Sequence, residues 1–119
     1  MQNKLAYIET EKRRYPIVFN LNVMEEIQER YGSMSAWGKI VENSEGGEPK
    51  IKDLKNGLMY MINEGIDIEN EEKGENSPMV TAKQVGRVIG EIGFEAITDI
   101  IKNLTIASTK TEDNEGKNE

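Results

Sequence analysis

Twenty-two aspartates and glutamates are the side chains of this 119-residue sequence that could do chemistry. Their densest run is Asp67, Glu69, Glu71, Glu72 and Glu75. A calcium loop of the EF-hand kind needs oxygen ligands at fixed offsets and a glycine at its sixth position. With Asp67 first, the sixth residue is Glu72, so the pattern fails and the run reads as a solvated acidic segment. Paired carboxylates hydrolyse glycosides in larger, aromatic-lined clefts. Here there are one tryptophan, four tyrosines and two phenylalanines in all. Histidine and cysteine are both missing, which removes the usual general base, the commonest metal ligand and all thiolate chemistry. The lack of cysteine also fits a reducing compartment. Gly86, Gly90 and Gly93 match neither a dinucleotide fingerprint nor a P-loop. The expectation is a protein that is not an enzyme, with no catalytic residues, no cofactor and no metal.

The formal net charge is −7, which repels a phosphate backbone. The densest basic group, Lys12-Arg13-Arg14, falls in an expected turn. The stretch from Thr81 to Asn103 has the outline of a helix-turn-helix, with a capped helix, a glycine turn and a second helix. That second helix offers only Lys102 as a cation, beside Glu95 and Asp99. A DNA-reading helix wants Arg, Lys, Asn or Gln towards the groove. A small DNA-binding regulator therefore stands only as an alternative, and neither nucleic acid nor membrane is an expected partner. No apolar run approaches the roughly 20 residues that span a bilayer, and MQNKLAYIET lacks the apolar core of a secretory signal. The sequon at Asn103-Leu104-Thr105 lies in a helical pattern and reads as chance.

Periodicity supplies the elements that would position these side chains. Leu5–Glu9 and Tyr15–Phe19 read as strands joined by the charged segment Thr10–Arg14. In this hairpin Ile17, Phe19 and Leu21 share a face and Pro16 marks an edge. Asn22 stands where an N-cap belongs, with Glu25 three residues on. Val23, Met24, Ile27 and Tyr31 follow at helical spacing, and Gly32 ends the helix. A short helix over 34–41, capped by Ser33 or Ser35, places Met34, Trp37 and Val41 on one face. Trp37, the largest apolar group, reads as a core anchor. Glu42–Lys50 is a polar loop. The next helix, over 51–64, carries Ile51, Leu54, Leu58, Met61 and Ile62, with Gly65 as its stop. Gly57 inside it costs about 1 kcal/mol relative to alanine. Ile66–Ser77 reads as an acidic loop with a short extended piece at Ile66 and Ile68. Thr81 and Gln84 form a capping box for a helix to about Ile89. A break between Gly90 and Gly93 precedes a last helix over 94–107 that buries Ile97, Ile100, Ile101 and Leu104. The expected fold class is α+β and mostly α-helical, an N-terminal β-hairpin packed on four to five helices. A single domain would cover 1–107, and 108–119, which has no apolar residue, would be a disordered, polar, acidic tail.

The run YPIVFNLNVMEEIQERYGSMSAW resembles the N-terminal part of the phage tail assembly chaperones of siphophages and prophages of Gram-positive bacteria. LKNGLMYMINEGIDIEN is similar to the family's central helix, which ends in glutamate-glycine and an acidic segment, and VGRVIGEIGFEAITDIIKNLTIAS continues the match to Ser108. The order and spacing of these runs carry the resemblance. It implies a non-enzymatic protein of the host cytoplasm that binds the tape measure protein, helps recruit tail tube subunits and leaves before the virion matures. Many members have a longer frameshifted form, and a homo-oligomer is compatible with the role. A structural tail or head-completion protein is the alternative. The candidate protein-binding residues are Tyr15, Ile17 and Phe19 on the hairpin, whose strand edges can pair with another chain, and Trp37. Met24, Met34, Met59, Met61 and Met79 suit adaptable apolar surfaces.

Overall fold

A computed structural model describes residues 5–117, with side chains described over 5–108. Strand β1 (Ala6–Glu9) pairs antiparallel with β2 (Arg14–Ile17), Tyr7 opposite Pro16 and Ile8 opposite Tyr15. Thr10 closes the loop: its N–H and its hydroxyl both donate to the Arg13 carbonyl, at 2.9 and 2.8 Å. Two strands alone are marginal in water, and here they sit on a helix.

Helix α1 (Leu21–Tyr31) begins two residues before its expected start, because its N-cap is Asn20 and not Asn22. Asn20 Oδ1 accepts from the Val23 N–H at 3.2 Å. Phe19 carries Asn20 into the interior, where it is 4% exposed and its amide has fixed partners. Asn22 falls inside the first turn. Gly32, at φ 95°, ends the helix as expected, and Ser33 caps α2 (Met34–Glu42) by accepting from the Ala36 N–H at 3.0 Å.

Helix α3 (Ile51–Lys73) departs from expectation, for it runs through Gly65 instead of stopping there. A Cβ on Gly65 would lie 2.8 Å from the carbonyl carbon and oxygen of Pro16. One turn earlier, the Met61 carbonyl accepts from the Val18 N–H at 3.3 Å. Gly65 is thus the seat of the strand, and missing bulk, not backbone freedom, is its use. Ile66 and Ile68 are helical and buried, not extended, and the helix ends at Gly74, φ 64°. Gly57 plays the matching part for Trp37, since a Cβ there would lie 2.1 Å from Trp37 Cη2.

Helix α4 (Ala82–Ile92) has the expected capping box, with Thr81 Oγ1 accepting from the Gln84 N–H at 3.2 Å and Gln84 Oε1 from the Thr81 N–H at 2.8 Å. Gly93, at φ 107°, is the single residue before α5 (Phe94–Lys117). Helix α3 is the hub: β2, α1, α2 and α4 all pack on it, and α5 closes against α2 and α4. The molecule is therefore mostly helical with an N-terminal hairpin, and Ile17, Ile27, Trp37, Leu58, Ile62 and Ile101 lie at its centre. Ser108, expected to open the tail, is half-buried and its hydroxyl donates to the Phe19 carbonyl. Helix α5 itself runs on to Lys117, past its expected end at 107, and the side chains after Ser108 lie outside those described.

Candidate protein-binding surface

Three of the four expected binding residues are sealed in the core. Ile17 and Trp37 are 0% exposed and Phe19 is 3% exposed, so none presents a surface to a partner. Hydrophobic periodicity picks out core and contact residues alike, and the packing of β2 and α2 on α3 makes these three core. The Trp37 ring lies over Gly57 and 5.3 Å from the Tyr31 ring. Its indole N–H has no acceptor among the described residues. Burial, followed by the nearby Asp53 charge, pushes the Tyr31 hydroxyl up to about 12, and that hydroxyl donates to the Asp53 carbonyl at 2.7 Å.

Tyr15 remains half-buried on the hairpin, with the Arg13 guanidinium 4.7 Å from its ring centre. On the other face Arg14 lies 3.6 Å from the Tyr7 ring centre, and the Tyr7 hydroxyl donates to Glu69 Oε2 at 2.7 Å. That bond raises the Tyr7 pKa and holds the Glu69 carboxyl below its usual range. The hairpin loop is tied to α4 where the Glu11 N–H donates to Glu91 Oε2 at 2.6 Å. The cations nearest the strands are thus already engaged with aromatic rings of the same hairpin.

The open surface lies on the other side of α1. A groove of about 390 Å³ runs between α1 and α3, lined by Asn22, Glu26, Met59, Glu64, Asp67 and Met79 among others. Two devices shape it. Glu64 Oε2 accepts from the side-chain amides of both Asn20 and Asn22, at 2.8 and 2.9 Å, so the cap of α1 fixes one carboxylate of the rim. Asn63 clamps the returning chain: its amide N–H donates to the Val80 carbonyl at 3.1 Å and its Oδ1 accepts from the Val80 N–H at 2.8 Å. Two turns on, Asn70 makes the same pair of bonds with Ser77, at 3.1 and 3.0 Å. These amides hold the segment before α4 along α3, with Val80 buried and its neighbour Met79 turned out, 47% exposed. The signal for this in the sequence was Asn63 and Asn70, seven apart on one helix face, followed by a short return to a capped helix.

A second cleft, between α2 and α5, is lined by Glu42, Glu95 and Asp99 but also by Lys102. The groove between α1 and α3 has no lysine or arginine in its lining. Beyond its Tyr60 end, hydrogen bonding to Tyr60 holds the Arg30 guanidinium above its usual range. Among the described residues, no group of His, Cys, Asp and Glu could hold a metal ion, and no helix is long and apolar enough to cross a membrane. The one-residue link at Gly93 is shorter than the three- to four-residue turn of a helix-turn-helix. Comparison with known protein families, with curated proteins and with solved structures finds no match.

Proposed function

We propose that this chain is a phage tail assembly chaperone, a non-enzymatic protein of the infected cell's cytoplasm that holds the tape measure protein and helps recruit tail tube subunits. The observation that carries the reading is the pre-shaped groove between α1 and α3, whose methionines and carboxylates offer a surface for reversible protein contact. The ordered resemblance of residues 5–108 supplies the biological setting. The hairpin and Trp37 support the surface from behind, as core.

The test is co-expression of the tagged chain with the tape measure and tail tube proteins encoded beside it. Both should co-purify with it, and mass spectrometry of finished particles should not find it. A stoichiometric share of the purified virion would overturn the reading in favour of a structural tail or head-completion protein.

A further inference from the structure

We propose that the groove between α1 and α3 takes a cationic helical segment of a partner protein, with one apolar side chain seated between Met59 and Met79 and lysines or arginines on the carboxylate rim. This rests on the reading above for its biological setting only; the groove's chemistry stands by itself. Every formally charged residue of the lining, Glu26, Glu64 and Asp67, is acidic. Glu26 and Asp67 are exposed, and neither forms an ion pair among the described residues. Glu64 is held in place by two amides. Met79 gives the apolar wall, 47% exposed and fixed from behind by the Asn63 clamp. A volume of about 390 Å³ holds an apolar anchor and its flanking chain, not a whole helix. A groove between two helices suits an amphipathic segment that presents its anchor at i and its cations at i−4 and i+3.

Two occupants closer to hand are disfavoured by charge. Residues 109–119 carry Glu112, Asp113, Glu115 and Glu119 against Lys110 and Lys117, so the chain's own end is repelled from this rim. A second copy of a chain with net charge −7 meets the same repulsion. Because Glu64 and the backbone beside Met79 are held before any partner arrives, part of the groove needs no ordering on binding.

The test uses the full chain and a fluorescein-labelled, alanine-rich synthetic helix with one leucine flanked by lysines at i−4 and i+3. Anisotropy should report binding that weakens with added salt. Glu26→Lys with Asp67→Lys should weaken it about ten-fold, and Met79→Ser several-fold, with unfolding midpoints unchanged. If the double reversal does not fold, Glu26→Gln with Asp67→Asn carries the same test at a smaller fold-change. Equal affinity for native and charge-altered chains would overturn the proposal. So would equal binding of a leucine-free peptide, which would mean bare charge attraction, or displacement by spermine at matched concentration, which would mean a polyamine site. Tail assembly separates the two readings. Assembly that needs this chain but ignores the Glu26 and Asp67 variants removes the groove's role and leaves the chaperone. Peptide binding in a chain that assembly does not need removes the chaperone and leaves the groove.

Discussion

Helix α3 has a close-packed inner side and an open groove on its outer side. Inward, Val23 and Ile27 of α1 meet Leu54, Leu58 and Ile62 of α3 in a layer that excludes water. Outward, Asn22 and Glu26 of α1 face Met59 and Asp67 of α3 across the groove. The inner side is held by shape, so that Trp37 and Pro16 approach α3 only where glycine leaves room. The outer side is held by amides, which fix Glu64 and the segment at Val80 along the groove. Close packing makes a stable seat and offers a partner nothing, whereas amide clamps leave a surface ready for one.

The comparison breaks most readily at Gly57. Gly57→Ala should lower the unfolding free energy by about 3 kcal/mol through overpacking against Trp37, although alanine gains about 1 kcal/mol in helix propensity. Urea denaturation measures it. In a Trp37→Leu background the loss should shrink, because the clashing ring is gone. Additive losses would show that the ring does not occupy the space above Gly57.

On the outer side, Asn63→Ala should cost about 1–3 kcal/mol by leaving a buried backbone N–H and C=O of Val80 without partners. Amide exchange at Val80 should quicken with it. Unchanged exchange would mean that the return segment is held by Val80's apolar contacts and not by the clamp.

The smallest effect is a pH dependence on the inner side. The folded Tyr31 pKa, about 12, lies above the ordinary value of 10.0. The neutral hydroxyl's contribution is therefore complete below pH 10 and is lost as pH rises towards 12. The stability advantage of the native chain over Tyr31→Phe should shrink across that window. A constant difference would place the hydroxyl in water.

Local signals were legible where a few neighbouring residues settle the matter among themselves. Ser33, one of the two caps offered for α2, the Thr81 and Gln84 box, the end at Gly32 and the apolar stripe of α4 stand as read, whereas α4 runs through Gly90 to Ile92, past its expected end near Ile89. Asn20 and Asn22 are both good caps by type, and only the burial of Phe19 and Asn20 chooses between them. Gly65 reads as a stop in any one-dimensional account, since a glycine after a helical stripe has no visible neighbour. The acidic stretch beyond it read as a loop from its run of charges, and carboxylates near a helix C-terminus do oppose the helix dipole. Tyr7 and Lys73 on Glu69 offset that in the folded chain.

Residue types and short spacings by themselves determined much about this protein: its acidity, its lack of histidine and cysteine, a hairpin followed by amphipathic helices, and most of the apolar core, though Leu21 and Ile51 of the expected stripes are exposed. Those properties depend on residue type and on spacings of two to four, so they need no knowledge of the rest of the chain. Which glycines are stops and which are seats was decided by tertiary structure, as was the loss of Ile17 and Phe19 from the surface. The α1–α3 groove belongs there too, for it joins Asn22 to Met79, residues that come within reach only when the helices pack.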